Sequence, residues 1–124
     1  KYAKDATDKL SVACTSIRQT VGSLSGGNQQ KVVISKYIDR DIKVFILDEP
    51  TRGIDVGAKA LVLEALRKFN RENGVTVVVI SSELEELRQT CDRIAIVSGG
   101  KIAGILPATA SSEDFGMLMV SQVK

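Results

Sequence analysis

The sequence has no histidine and only two cysteines, two prolines, two tyrosines and three phenylalanines in 124 residues. With Cys14 and Cys91 far apart, no CxxC pair and no imidazole, the donors for a zinc site are missing, and both thiols read as reduced core residues. Scarce aromatics leave little for base stacking, and the basic residues are spread without the clustering of a nucleic-acid footprint, so no nucleic-acid partner is expected. No apolar run approaches the roughly 18 residues of a membrane span, and the Lys-rich start lacks the apolar segment of a signal peptide. A soluble, cytoplasmic chain is expected. The net charge of +2 is uninformative. The length suits one domain or a piece of one, and is short for a complete nucleotide-handling enzyme.

What is present centres on residues 44–54, VFILDEPTRGI, in which an unbroken apolar run leads into two carboxylates, a proline and a turn. Such a run predicts a strand buried on both faces, as in a parallel sheet covered by helices. Asp48 and Glu49 then emerge at its carboxyl end, where open α/β sheets bind ligands. The second landmark is LSGGNQQK at residues 24–31.

The remaining elements follow from local signals. Residues 1–23 read as a helix end followed by irregular chain. Val32, Val33, Ile34, Tyr37 and Ile38 recur at helical spacing, so a helix is expected from the glycines to about Asp39, with Ser25 as N-cap. Pro50 closes the strand. Asp55 caps a predicted helix over 56–73 whose apolar face is Ala58, Leu61, Val62, Ala65, Leu66 and Phe69, and Gly74 stops it. A second strand over 76–80 completes a βαβ unit, and the class is α/β. Ser82 with Glu85 fits a capping box for a short helix to about Gln89. A strand over 94–97, a turn at 98–101 and a strand over 102–106 form an expected hairpin at the sheet edge, ended by Pro107. A last helix is capped by Ser111 or Ser112, with Phe115, Leu118 and Met119 on its apolar side.

Two carboxylates at a strand end suit phosphoryl transfer. One can hold Mg²⁺ through water while its neighbour polarises an attacking water. A serine and two glycines at a helix start offer free N–H groups and the positive end of the dipole to an anion. Each feature also has a plain structural alternative: a polar strand end capping the next turn, and a flexible turn with an N-cap.

Taken together, LSGGNQQK followed by ILDEPTRGIDVGAKA resembles the ATP-binding cassette (ABC) of ABC transporters, over about residues 20–100. The first stretch looks like the signature motif and the second like the Walker B strand and D-loop. Asn28, Lys31 and the TRGIDVGA run resemble more narrowly the ATPases of bacterial monosaccharide and nucleoside importers, which carry two cassettes on one polypeptide. The resemblance implies Asp48 on the Mg²⁺ side, Glu49 as the base orienting the hydrolytic water, and Asp55 in the D-loop. It also implies that Ser25, Gly26, Gly27 and Asn28 contact the γ-phosphate of ATP held by the opposing cassette.

Two departures accompany it. No G-x-x-x-x-G-K-[ST] is present: Gly22 and Gly27 have the right separation, but Asn28 follows where the lysine would stand. Ser82 occupies the switch position, where such a cassette usually has histidine, and its plain alternative is a helix N-cap. The chain is therefore expected not to hold ATP itself and to supply its signature in trans.

The implied organisation is a remnant of the helical signature subdomain over 1–40 and the carboxyl-terminal half of a RecA-like P-loop NTPase core, with a mostly parallel sheet, over 41–124. This is the expected pattern for the second cassette. Implied cofactors are ATP and Mg²⁺. Implied partners are the first cassette of the same polypeptide, membrane permease subunits and, indirectly, a periplasmic or extracellular solute-binding protein. The implied location is peripheral, on the cytoplasmic face of the bacterial inner membrane. A central strand of the family sheet is absent from the sequence, so the chain is expected to self-associate through unpaired strand edges or to rearrange its sheet. Two rival readings remain at this point: a non-transport ABC ATPase and a degenerate cassette acting as a scaffold.

Overall fold

The computed structural model describes residues 2–9, 12, 13, 16, 18, 20, 22, 24, 26–36 and 41–120; the side chains of Tyr2, Ala6, Thr7, Lys9 and Gly27 fall outside that description. The chain divides into two units, Lys1–Ile80 and Ser81–Lys124.

The first unit contains α1 (Tyr2–Lys9), α2 (Gly26–Ser35), β1 (Val44–Asp48), α3 (Val56–Asn73) and β2 (Thr76–Ile80). β1 and β2 pair in parallel, Val44 opposite Thr76 and Asp48 opposite Ile80. Thr76 N–H to Lys43 O and Glu49 N–H to Ile80 O extend the ladder at its two ends. α3 is the crossover that a parallel pair requires. Asp55 caps it, its carboxylate accepting from Ala58 N–H at 2.9 Å. Gly74 ends it at φ 66° in the left-handed region, where a side chain is disfavoured, and donates its N–H to Asn70 O. Asn70 Nδ2 then donates to Val75 O at 2.7 Å and fixes the turn into β2.

The core of this unit joins Ile34 of α2 to Val62, Ala65, Leu66 and Phe69 of α3 and to Val75, with Phe45, Leu47, Val77 and Val79 packed against them. Phe45 and Phe69 meet edge to face at 5.9 Å. The expected face of α3 is buried except at Leu61, which lies on the flank of the stripe and is exposed. The strand expectation needs a larger correction: β1 is covered on one face only. Its side chains alternate, so Phe45 and Leu47 reach α3 while Val44 and Ile46 point away, with Ile46 63% exposed. β2 does the same with Val78 and Ile80. In α2, Val33 is exposed, and the buried pair is Lys31 and Ile34, one turn apart. The expected contributions of Tyr37 and Ile38 lie outside the described residues, as does the cap at Ser25.

The second unit contains α4 (Leu84–Thr90), β3 (Arg93–Ser98), β4 (Lys101–Pro107) and α5 (Ser112–Val120). β3 and β4 form an antiparallel hairpin closed by Gly99 and Gly100, at φ 58° and 74°. Two consecutive positive φ values suit the right-handed twist of the flanking strands and favour glycine at both positions. Among the described residues there are two two-stranded sheets, one parallel and one antiparallel, instead of one mostly parallel sheet.

α5 packs on the hairpin through Phe115, which is fully buried, and through Leu118, for which Gly104 leaves room. Its cap is Ser111, whose hydroxyl accepts from Asp114 N–H. Met119, expected on the buried side, is exposed. The capping box expected at Ser82 is replaced by a different turn. Ser81 Oγ accepts from Glu83 N–H at 3.0 Å, and Glu83 takes the N-cap position without a side-chain cap bond.

Candidate functional site

The two carboxylates stand where the sequence places them. Asp48 is the last residue of β1, with its side chain exposed, and Glu49 follows it half-buried. Glu49 has φ 48°, the only positive value at a non-glycine among the described residues. A left-handed backbone costs an L-residue roughly 1–2 kcal/mol. Two hydrogen bonds hold it there: Glu49 N–H donates to Ile80 O at 2.8 Å, and Glu49 O accepts from Arg52 N–H at 3.2 Å. The strand therefore ends in a sharp turn that leaves Asp48 exposed and Glu49 half-buried.

The turn is anchored on its inner side. Pro50 and Thr51 are buried, Thr51 with 1% exposure, and Gly53 at φ 78° carries the chain out to Ile54 and the Asp55 cap. Ile54 returns to the core. Asp48, Glu49 and Asp55 thus lie on one short loop whose ends are fixed by β2 and α3.

The first turn of α2 lies against the same loop. Gly26 is exposed to solvent on one side and meets Ile54 on the other. Behind it, Asn28 Oδ1 accepts from Ala13 N–H at 2.9 Å, and Gln29 Nε2 donates to Leu24 O at 3.0 Å. Both bonds brace the chain that enters the helix. Lys31, 3% exposed, sits one turn further in, and burial lowers its ammonium pKa below the usual lysine value. The structure thus brings the two sequence landmarks together. Ser25 lies outside the described residues, and Gly27 is described only through its backbone. Ser82 is an exposed residue of the second unit, between β2 and α4.

Asp48, at the strand end and open to solvent, fits an ion that keeps most of its water. Among the described residues no cluster of three acidic or thiol side chains forms a complete protein-built metal cage. Sequence reasoning singled out Lys31, Thr51 and Ile54 as parts of family-like runs but did not anticipate that they pack inward. The available signal for Ile54 was a lone branched apolar residue in the otherwise polar turn TRGID.

Comparison with known proteins agrees with these landmarks. The family model described as ABC transporter matches residues 3–52. The ribose import ATP-binding protein of Lactococcus lactis subsp. lactis (strain IL1403) is 47% identical over 113 residues, 91% of this chain and 23% of that protein. The xylose import ATP-binding protein of Thermoanaerobacter pseudethanolicus is 47% identical over 92% of this chain and 22% of its own length. The galactose/methyl galactoside import ATP-binding protein of Treponema pallidum is 45% identical over 90% and 22%. The chain thus spans under a quarter of the length of these relatives.

The fold aligns with an ABC transporter of metal-chelate type in an inward-facing conformation, at TM-score 0.78 and 24% identity, over 94% of this chain and 47% of that one. It also aligns with a dimeric ATP-binding cassette bound to ADP and phosphate, at TM-score 0.70 and 24% identity, over 89% and 47%. With both motifs on one braced loop and helix start, and identity near 45% along nearly its whole length, the chain belongs to the ABC transporter ATPases.

Proposed function

We propose that this chain is part of the ATP-hydrolysing subunit of an importer for simple sugars, and that it offers its signature turn to ATP held by a partner cassette. The first turn of α2, exposed at Gly26, braced from behind and seated on the loop that follows β1, supports this reading most directly. A helix N-terminus with glycine at its first positions lets a phosphate approach free N–H groups closely. In this reading Ser25, Gly26, Gly27 and Asn28 bind the γ-phosphate in trans, and no lysine-bearing phosphate loop is present to hold ATP in cis.

The other residues keep the roles that the family pattern implies. Asp48 faces Mg²⁺ through water, Glu49 orients the hydrolytic water at this cassette's own site, and Asp55 lies in the D-loop. Mg²⁺ would supply charge neutralisation on the phosphates. Ser82 at the switch position lacks the imidazole of a hydrolysing site. Residues 1–40 correspond to the helical subdomain and 41–124 to the later half of a RecA-like core. Its partners would be a first cassette on the same polypeptide, a membrane permease and, through it, an external solute-binding protein. That places the chain at the cytoplasmic face of the membrane. Among the described residues no helix is long and apolar enough to cross a membrane.

The reading is tested by ATP turnover in the two-cassette ATPase. Ser25→Arg is expected to lower turnover, because it fills the turn offered to the partner's phosphate, while Glu49→Gln leaves most of it. A base acting at its own site would be worth roughly 10²- to 10⁴-fold. Loss of that size with Glu49→Gln and none with Ser25→Arg would reverse the assignment. Loss with neither would leave a scaffold.

A further inference from the structure

Gly26 has no room for a side chain. A Cβ added there would lie 2.7 Å from Ile54 Cγ2 and 3.6 Å from Ile54 Cβ. The first distance is one that real Cβ atoms essentially never show, and the second is ordinary van der Waals contact. Backbone conformation does not explain the glycine, since Gly26 is helical and not among the positive-φ residues. Nor can the methyl swing aside cheaply, because it branches directly from Cβ, where χ1 is restricted. Ile54 is itself packed against the core that contains Ile34, Val62 and Leu66.

The loop that carries Ile54 is pinned on both sides. Upstream, Glu49 N–H is bonded to Ile80 O and Arg52 N–H to Glu49 O. Downstream, the Asp55 carboxylate caps α3 at Ala58 N–H. The site of Ile54 is therefore fixed by the ends of β1 and β2 and by the start of α3, and Gly26 rests on it. We infer that Ile54 is a positioning residue that seats the first turn of α2, so that the signature turn lies where the loop after Glu49 puts it. Resting on the in-trans reading, this makes the turn offered to the partner's ATP follow the loop at this cassette's own Walker B strand.

A double-substitution cycle tests it, read by amide hydrogen exchange of α2 in the 124-residue chain and by ATP turnover in the two-cassette protein. Gly26→Ala alone should speed α2 exchange by roughly 5- to 150-fold, the usual range for overpacking. In an Ile54→Ala background only the 3.6 Å contact remains, so the same substitution should be neutral or should slow exchange, alanine being the better helix former. Ile54→Val keeps both branches at Cβ and should give no rescue. Turnover lost with Gly26→Ala should return in part with Ile54→Ala and not with Ile54→Val. Additive effects of Gly26→Ala and Ile54→Ala on exchange, or equal rescue by Ile54→Val, would overturn the inference. Turnover indifferent to both Gly26→Ala and Ser25→Arg, with exchange still non-additive, would instead sink the in-trans reading and leave the seating of α2 standing.

Discussion

Glu49 combines the carboxylate proposed to orient water with an unfavourable backbone. At φ 48° any residue with a Cβ is strained, and glycine is not. Comparing Glu49→Ala with Glu49→Gly removes the carboxylate from both and isolates the backbone term. Chemical denaturation should find the glycine variant more stable by about 1 kcal/mol; equal midpoints would mean the turn is unstrained. The sequence shows Asp48 and Glu49 clearly, because apolar residues running into paired acids form a pattern. It does not show this φ, which results from hydrogen bonds to Ile80 and Arg52.

Cys91 gives a prediction with a sign. Burial, and secondarily the Asp92 carboxylate, raise its thiol pKa. A raised folded pKa means that the neutral thiol is favoured by folding. Its contribution is complete below the unfolded value of about 8.5 and is lost as pH rises through the folded one. Stability of the Ser81–Lys124 unit should therefore fall above pH ~8.5, and Cys91→Ala should flatten that fall. A pH-independent midpoint in both proteins would contradict the assignment. Lys31, in the first unit, has the opposite sign, because a lowered folded pKa relieves its cost as pH rises toward the lysine range.

At the scale of elements, periodicity and punctuation were the legible part. α3 begins after Asp55 and ends before Gly74 as expected, because a cap and a left-handed glycine are local signals. The hairpin at Gly99 and Gly100 was legible for the same reason. The one-sided burial of β1 was not recoverable, because an unbroken apolar run looks the same whether one face or two are covered. Arg88 was missed because its partners are distant in sequence. It donates to Ala108 O at 3.4 Å, Ala110 O at 3.1 Å and Ser112 Oγ at 3.0 Å, and lies over the Phe115 ring at 5.9 Å. A guanidinium fork can span those acceptors, whereas an ammonium is a point charge. Arg88→Lys should therefore destabilise the second unit by roughly 1–2 kcal/mol in denaturation. An unchanged midpoint would show that the fork contributes nothing.

At the scale of the whole molecule, the first turn of α2 and the loop after β1 sit together in the first unit, and the given sequence carries no G-x-x-x-x-G-K-[ST]. The chain spans under a quarter of its relatives' length, and in the proposed reading what it contributes is a surface presented to a nucleotide held elsewhere. The pairing of the two landmarks was legible from order and spacing, whereas their contact through Ile54 required the fold. Calorimetric titration of the 124-residue chain with ATP and Mg²⁺ tests this division of labour most directly. The account predicts no saturable binding at physiological Mg²⁺, and micromolar binding would contradict it.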